Sequence, residues 1–216
     1  EYKSDEESLS REGNSIFYVI ENKKVIALVG VKDVIRGDAK DIISELKNDK
    51  EVIMLTGDNE VTANVIAGEL GIDNVISNTM PKEKVNEIKN LMKDKFVMMI
   101  GDGINDAPSL ATSNIGVSIG SGTDIANDSS DVILMNDNLV NIVNLINISK
   151  KTIRIVKENL FWAFFYNICM IPIAIGLLCG IGITLNPMIG SLSMTLSSVT
   201  VMLNTMRLKR VKVRRC

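Results

Sequence analysis

The feature that most constrains this 216-residue chain is a long run without charge near its C-terminal end. Residues 160–185, 26 in all, contain no Asp, Glu, Lys or Arg. At ~1.5 Å per residue, a helix of that length extends about 39 Å, which is enough to cross a bilayer. A second uncharged stretch, residues 187–206, follows a break at Asn186-Pro187. The two stretches predict a transmembrane helical hairpin, with spans at 159–185 and 187–206.

Basic residues flank both outer ends of the predicted hairpin and are absent from its connecting loop. They are Lys150, Lys151, Arg154 and Lys157 before the first span, and Arg207, Lys209, Arg210, Lys212, Arg214 and Arg215 after the second. Lys and Arg are enriched on the cytoplasmic side of membranes, so we expect both outer ends, including the basic tail 207–216, to be cytoplasmic. Two of the three cysteines lie inside the first span and the third is terminal, which suggests no disulfide framework.

The first half of the chain alternates short apolar runs with amphipathic segments. The runs are residues 52–56, 74–77, 96–100, 115–119 and 131–135, and the intervening helices are expected near 61–70, 82–92 and from Asp106 onward. This alternation predicts an α/β domain with a mainly parallel sheet. Earlier, residues 15–20 and 25–30 predict two strands joined by a tight turn, which we interpret as the end of another domain. The polar first dozen residues are expected to be exposed.

Between the two halves, residues 138–158 keep apolar side chains at helical spacing without Gly or Pro. This pattern predicts a continuous stalk helix that leads into the first span. The net charge of −2 gives no sign of a nucleic-acid partner.

The sequence GDGINDAP, residues 101–108, places three polar side chains directly after a buried strand. In parallel sheets, ligands bind at the carboxyl ends of the strands, where Asp102 would lie with Asn105 and Asp106 close behind. Such oxygen ligands suit Mg²⁺, which is bound by one or two carboxylates together with water and phosphate. A capped helix start, with Asn105 or Asp106 as the cap and Pro108 in the first turn, explains part of the same pattern.

The sequence TGDN, residues 56–59, ends an earlier strand in a similar way. Thr56, Gly57 and Asp58 would stand just before a helix N-terminus, which favours an anion. Together with the acids after residue 100, they predict a two-sided phosphate pocket. Lys84 could reach that pocket, although taken alone it is better explained as one of several lysines that solvate a helix.

Polar residues inside the predicted spans are functional candidates, because burying them in lipid is costly. Tyr166 and Asn167 lie in the first span, and Met194 and Ser198 lie in the second. Thioether and thiol ligands select soft ions such as Cu(I), and neither span contains Asp, Glu or His. Hydroxyl groups that join helices and methionine that fills space are the alternative explanation. Pro172 is expected to kink the first span.

Taken together, TGDN, GDGINDAP, the stalk, Tyr166-Asn167 and the closing stretch NPMIGSLSMTLSSVTVMLNTMRLK resemble the C-terminal part of heavy-metal P-type ATPases of subclass IB, the copper-transporting kind. The resemblance covers residues 13–209. It implies a haloacid dehalogenase-like, Rossmann-type phosphorylation domain at 31–137, preceded at 1–30 by the end of a nucleotide-binding domain and followed by the stalk and the hairpin. It also implies a multi-pass protein of the plasma membrane.

In that family, ATP phosphorylates an aspartate in a DKTG motif, and the acyl phosphate is later hydrolysed while the membrane helices alternate access. The resemblance implies that Asp102 binds Mg²⁺, with Asp106 as a weaker candidate, and that Asn105 and Asp106 support the phosphate site. It assigns phosphoryl contacts to Thr56, Gly57 and Asp58, and neutralisation of the phosphate to Lys84. Tyr166, Asn167, Met194 and Ser198 match the Cu(I) positions, and Asp33 and Arg36 match a hinge.

Several family motifs are missing from the 216 residues. There is no DKTG, no Cys-Pro-Cys, no TGE loop and no histidine. We therefore expect the chain to be the rear part of a longer, truncated or split pump for Cu(I) or Ag(I), inactive by itself. Its expected partners are the rest of the pump, the lipid bilayer and a copper chaperone. A pump for another cation and an inactive membrane-anchored remnant are the alternatives, although the lack of acids in the spans argues against zinc.

Overall fold

The computed structural model describes residues 3–11, 14–32, 35–102, 104–120, 128–136, 138–177, 180, 182 and 186–214. The chain divides into two compact units, residues 1–141 and 142–216. In the first unit the strands are β1 (Ser15–Glu21), β2 (Lys24–Val31), β3 (Ile53–Leu55), β4 (Asn74–Ile76), β5 (Met98–Gly101), β6 (Ile115–Ile119) and β7 (Val132–Leu134). Its helices are α1 (Lys3–Arg11), α2 (Ala39–Lys47), α3 (Glu60–Leu70), α4 (Pro81–Leu91) and α5 (Ala107–Thr112).

The hairpin predicted near the start of the chain is confirmed. Strands β1 and β2 pair antiparallel, and Asn22 and Lys23 occupy the turn with φ of 47° and 62°. Positive φ at both central residues matches the right-handed twist of the strands, which is why such short turns are favoured. Helix α1 precedes the hairpin and was not predicted. A side-chain hydrogen bond with Glu6 of this helix raises the pKa of Tyr18 on β1.

The alternating pattern does produce an α/β arrangement with parallel pairing. Strand β3 pairs with β4, and β5, β6 and β7 form a three-stranded sheet with β6 in the centre, all of them parallel. Val117 and Ile119 on β6 are buried together with Leu110 of α5 and Ile88 of α4. Gly116 to Ile119 are buried whichever face of the strand they lie on, and burial on both faces explains why this strand shows no alternation with exposed polar residues. Where one parallel sheet was predicted, the described parallel strands form two separate hydrogen-bonded sheets, β3-β4 and β5-β6-β7.

The helix boundaries in this unit follow local signals in the sequence. Asn59 caps α3 by accepting a hydrogen bond from the Thr62 N–H at 2.9 Å, and Gly71 ends the helix with a left-handed φ of 73°. Pro81 stands in the first turn of α4, where its missing N–H costs nothing. Both helices begin directly after the polar residues that follow β3 and β4, so the polar residues lie at helix N-termini.

The second unit consists of helices α6 (Val140–Ala174) and α7 (Pro187–Met206), followed by a 3₁₀ turn, Arg207–Arg210. Most of the helix predicted from the spacing over 138–158 is present, because α6 begins at Val140 and continues without a break beyond Glu158. Polar side chains join the two helices: Tyr166 Oη lies 3.1 Å from Thr200 Oγ1, and Asn159 Nδ2 donates to Thr205 Oγ1 at 2.9 Å. The pairing of 159 with 205 and of 166 with 200 makes the helices antiparallel.

The prediction of a single helix over 159–185 differs from the structure, in which the first uncharged stretch does not form one helix. Helix α6 ends at Ala174, where Gly176 has φ of 79°, its N–H bonds the Ile173 carbonyl and the Leu177 N–H bonds the Pro172 carbonyl. This pair of reverse bonds is a Schellman motif, which satisfies the last carbonyls of a helix. Within the described ranges, no helix combines the length and the apolar character needed to cross a membrane. The predicted transmembrane hairpin is therefore not confirmed.

Candidate functional site

The first half of the candidate site is the corner that follows β3. The Thr56 N–H bonds the Ile76 carbonyl at 3.0 Å and so extends the pairing of β3 with β4 by one step. The Thr56 hydroxyl donates to Asp58 Oδ2 at 2.8 Å and accepts from the Asp58 N–H at 3.1 Å. The two side chains therefore fix each other's direction, and they are only half-buried, while Gly57 between them is exposed. The structure thus brings the side chains of Thr56 and Asp58 together at the end of β3.

The segment after β4 braces this corner and was missed by the sequence reasoning. Thr79 is buried, and both its N–H and its hydroxyl donate to the Thr56 carbonyl, at 3.1 and 2.7 Å. Asn78 has φ of 55°, and its N–H bonds the Asp58 carbonyl at 2.8 Å. A usable signal was present, because polar residues that follow the neighbouring strand of a parallel pair must lie at the same edge of the sheet.

The second half of the site is an ion pair between α4 and the end of β5. Lys84 Nζ donates to Asp106 Oδ1 at 2.9 Å, and the two side chains are only 14% and 17% exposed. The expectation that Lys84 only solvates its helix is therefore wrong, although Lys82 and Lys89 are exposed as that expectation required. A charge-assisted hydrogen bond with little access to water holds the ammonium group in a fixed direction.

Asp106 reaches Lys84 because the residue beneath it is glycine. A Cβ at Gly101 would lie 2.9 Å from Asp106 Cβ and 3.0 Å from its Oδ2. Asp106 occupies the N-cap position of α5, yet its side chain makes no capping hydrogen bond, and Pro108 follows in the first turn. The capped-turn explanation therefore holds for the backbone but does not account for the Asp106 carboxylate.

The two remaining residues of the motif face solvent. Asp102 and Asn105 are exposed, and neither side chain makes a hydrogen bond or ion pair with the residues that the structure describes. Across those residues, no three His, Cys, Asp or Glu side chains gather into a group that could hold a metal ion. A single carboxylate can hold Mg²⁺ only when water or another molecule supplies further oxygen ligands.

One short segment connects the two halves of the site. Thr79 contacts the corner after β3, and Lys84, five residues further along, contacts the acid after β5. The intervening residues contain the start of α4, including Pro81. Fixed donors are thus placed at the carboxyl ends of parallel strands, which suits a doubly charged oxyanion such as phosphate. The residues expected at a hinge add little here, since Asp33 lies outside the described residues and the Arg36 carbonyl caps the first turn of α2.

The four residues predicted to bind a transported ion lie in the second unit. Tyr166 contacts Thr200 across the helix pair, whereas Asn167 Nδ2 donates to the Ala163 carbonyl of its own helix at 2.9 Å. The Ser198 hydroxyl donates to the Met194 carbonyl at 3.1 Å, and the Met194 side chain is 74% exposed. The structure therefore places Tyr166 between the helices, and it satisfies Asn167 and Ser198 locally.

The parallel strands and the polar residues at their carboxyl ends define an α/β domain of the class that binds ligands at that edge of the sheet. Residues 1–114 match the haloacid dehalogenase-like hydrolase family. Because this match covers more than half of the 216 residues, the chain belongs to that family.

The relatives give a more particular resemblance. The chain is 43% identical over 203 residues to a protein of Staphylococcus aureus called probable copper-transporting P-type ATPase B. It is 40% identical over 205 residues to a probable copper-exporting P-type ATPase of Archaeoglobus fulgidus. These matches cover 93% and 94% of the chain but only 30% and 26% of the two relatives. The resemblance indicated by the motifs is confirmed.

Solved structures extend the comparison to the fold. A zinc-transporting PIB-type ATPase in its E2.Pi state matches 96% of the chain and 33% of its own chain, with a TM-score of 0.80 and 30% identity. The catalytic domain of the CPx-ATPase CopB-B matches 60% of the chain and 53% of its own, with a TM-score of 0.53 and 34% identity. The likeness therefore includes both units of the chain.

Proposed function

We propose that the chain is part of an ATP-driven pump that exports Cu(I), and also accepts Ag(I). The observation that carries this proposal is the Lys84–Asp106 pair, 2.9 Å apart and largely buried, which follows parallel strand β5 and is joined to the Thr56–Asp58 corner through the segment from Thr79 to Lys84. The similarity to proteins named as copper-transporting ATPases supports the choice of activity and of ion. The proposal concerns the whole protein, of which the chain spans about 30% of the relatives' length.

In this proposal the site receives the terminal phosphoryl group of ATP on an aspartate elsewhere in the complete protein. The transfer releases ADP, and water later cleaves the acyl phosphate to give phosphate and the free carboxylate. Thr56, Gly57 and Asp58 contact the phosphoryl oxygens, and the ammonium group of Lys84 neutralises their charge. Asp106 acts as a positioning residue that aims Lys84, and Asn105 supports the same oxygens.

Mg²⁺ fits the donors that this site offers. Asp102 is an exposed carboxylate at the end of β5 with no partner among the described residues, and Mg²⁺ commonly takes one or two carboxylates, with water and phosphate completing the shell. Asp102 would therefore hold the ion. Asp106 is the weaker candidate, because its Oδ1 is already bound to Lys84. When bound, the ion supplies charge stabilisation for the transferred group.

We further propose that α6 and α7 belong to a membrane hairpin. The uncharged stretches 160–185 and 187–206 support this, as does the large number of exposed apolar side chains on both helices. Examples are Phe161, Phe164, Ile168, Leu192 and Leu203. The flanking basic residues then place both outer ends of a plasma-membrane protein in the cytoplasm. Tyr166, Asn167, Met194 and Ser198 form the ion path, the remainder of the pump supplies the other ligands, and a copper chaperone delivers the ion.

The test is metal-stimulated ATP hydrolysis by the complete protein, compared for Met194→Ala and Met202→Ala. Both methionines lie on α7 and are exposed, so the two substitutions remove similar apolar area. We expect Met194→Ala to lose stimulation by Cu(I) and Ag(I) by about tenfold or more, because a soft ion loses a thioether ligand. Met202→Ala should retain it.

Equal losses of stimulation in the two variants would mean that Met194 contributes only to packing. Stimulation by Zn²⁺ in place of Cu(I) would transfer the proposal to a zinc pump, the activity named for one structural relative. Hydrolysis that no metal stimulates would favour the inactive remnant.

A further inference from the structure

The residues that follow α7 make a set of contacts that the proposed pump site does not use. Beyond the 3₁₀ turn Arg207–Arg210, Val211 has extended backbone with φ of −67° and ψ of 119°. The segment then returns to α6, where Arg214 contacts Asn144. These two residues are seventy positions apart in the chain. We call residues 207–214 the strap.

The far end of the strap is fixed by Asn144. Its Nδ2 donates to the Arg214 carbonyl at 3.0 Å, and its Oδ1 accepts from the Arg214 N–H at 3.0 Å. Asn144 as a whole residue is only 6% exposed. A buried amide that bonds both the N–H and the carbonyl of one residue imitates a strand pair, and removing the amide would remove both of these hydrogen bonds.

The near end of the strap is fixed by a polar cluster where α6 and α7 meet. Arg207 Nη1 donates to Glu158 Oε2 at 2.7 Å and to Asn204 Oδ1 at 2.6 Å. Asn204 Nδ2 in turn donates to Asn159 Oδ1 at 2.9 Å. The arginine thus joins the last turn of α7 to α6 through both a charged and a neutral partner.

The strap and the part of α6 between its two anchors match in length, and the anchoring residues lie on one face of α6. With ~2.0 Å per residue in a 3₁₀ turn and ~3.3 Å in extended chain, the strap extends about 21 Å. At ~1.5 Å per residue, the part of α6 from Asn144 to Glu158 is also about 21 Å long. At ~3.6 residues per turn, Asn144, Ile155 and Glu158 fall within about 60° of one another, so they share one face. Ile155 on that face is 3% exposed, whereas Ile153 and Val156 beside it are each 53% exposed.

We propose that residues 207–214 are a strap that binds the first half of α6 to the end of α7, with Asn144 as its latch, so that the two helices move as one body. A strap anchored at both ends prevents α6 from turning about its own axis without carrying α7 with it. The latch uses no charged side chain of the strap. The inference is independent of the transported ion and of the phosphate site.

The experiment is hydrogen exchange of the full chain, in its native membrane or in detergent, for the parent protein, Asn144→Ala, Asn144→Asp and Asn147→Ala. Asn147 is an exposed asparagine on the same helix and serves as the control. We expect Asn144→Ala to speed exchange of residues 211–214 by about tenfold, as for the loss of two hydrogen bonds, and to speed exchange in the last turn of α7 as well. Asn144→Asp keeps the acceptor for the Arg214 N–H and should give a smaller change.

Unchanged exchange at 211–214 in Asn144→Ala would show that no latch exists. Faster exchange of those residues without any change at the end of α7 would show that the strap does not couple the helices, which also overturns the proposal. If Asn147→Ala gives the same changes, the effect belongs to α6 in general and the latch is again excluded.

Discussion

At the scale of single residues, the two acids of GDGINDAP have different environments although they are only four positions apart. Asp106 is largely buried and bound to Lys84, whereas Asp102 is exposed and unbonded within the described residues. A buried partner fixes a neighbouring side chain, while an exposed carboxylate can accept a ligand from solution. The difference assigns positioning to Asp106 and ion binding to Asp102 in the proposed pump.

Asp102→Ala is predicted to abolish ATP turnover by the complete protein while leaving its folding unchanged. Exposed side chains without partners usually change the free energy of unfolding by no more than ~0.5 kcal/mol. Turnover and the thermal midpoint should be measured together, with Asp94→Ala as the control, since Asp94 is an exposed acid outside the motif. Normal turnover in Asp102→Ala would contradict the Mg²⁺ assignment.

The Lys84–Asp106 pair is predicted to show strong coupling in a double-mutant cycle. Lys84→Met or Asp106→Ala alone leaves a largely buried charge without its partner, which should cost roughly 1–3 kcal/mol of unfolding free energy. The double variant should lose clearly less than the sum of the two, because neither charge remains. Denaturant unfolding measures all four free energies, and additive losses would mean that the ion pair contributes nothing.

At the scale of elements, the central strand β6 depends on a glycine because α5 approaches it closely. A Cβ at Gly116 would lie 2.7 Å from the Leu110 carbonyl oxygen and 3.0 Å from the Leu110 carbonyl carbon, both of them backbone atoms. Backbone cannot move aside as a flexible side chain can, so the distance between the strand and the helix is limited by this residue.

Gly116→Ala is therefore predicted to destabilise the first unit by about 1–3 kcal/mol through overpacking. Gly68→Ala is the matched control, since Gly68 lies inside α3 and a Cβ there would meet no atom of another segment within 4 Å. There the change should stabilise by about 0.5–1 kcal/mol, because alanine loses less entropy in a helix. Equal effects at the two positions in denaturant unfolding would refute the close approach of α5.

The elements that were predictable from the sequence are those with a strong apolar pattern. Strand β6 and helix α3 were located because their apolar runs end at clear signals, such as Gly71. Helix α1, with the sequence KSDEESLSR, was missed because it is almost entirely polar and presents no apolar stripe. The end of α6 was misplaced because uncharged composition does not reveal the left-handed turn at Gly176.

Within the candidate site, the sequence predicted which polar residues follow each strand but not which distant side chains they contact. Thr56 and Asp58 were predictable as neighbours, since they are two positions apart. The Lys84–Asp106 bond joins residues 22 positions apart, and Lys84 has the same local setting in sequence as the exposed Lys82. Only the packing of α4 against α5 decides which lysine is buried.

At the scale of the whole molecule, the chain combines an α/β unit with a helical unit of different composition. The first unit buries a core that includes Ile88, Leu110 and Val117, although side chains such as Phe17 and Phe96 stay exposed. Helices α6 and α7 leave many large apolar side chains exposed along their length. Apolar surface of that extent normally marks a contact with lipid or with other protein. The proposed membrane hairpin uses that surface.

We predict that the chain stays with the membrane fraction after an alkaline carbonate wash. A cysteine introduced at Gly182, in a variant whose Cys169 and Cys179 are replaced, should react only with reagent added from outside, whereas Cys216 should react only from the cytoplasmic side. Release of the chain by the wash would contradict the hairpin. Labelling of both cysteines from one side would contradict its topology.

The latch at Asn144 has a consequence for how the tail can vary. At the latch, Asn144 bonds the backbone N–H and carbonyl of residue 214, groups that nearly every amino acid carries. The side chain at position 214 can therefore change by mutation without loss of the latch. Proline is the exception, because it has no N–H to donate. Among the sequences of related chains, this contact would therefore be recognised by the absence of proline at this position, where other residues vary.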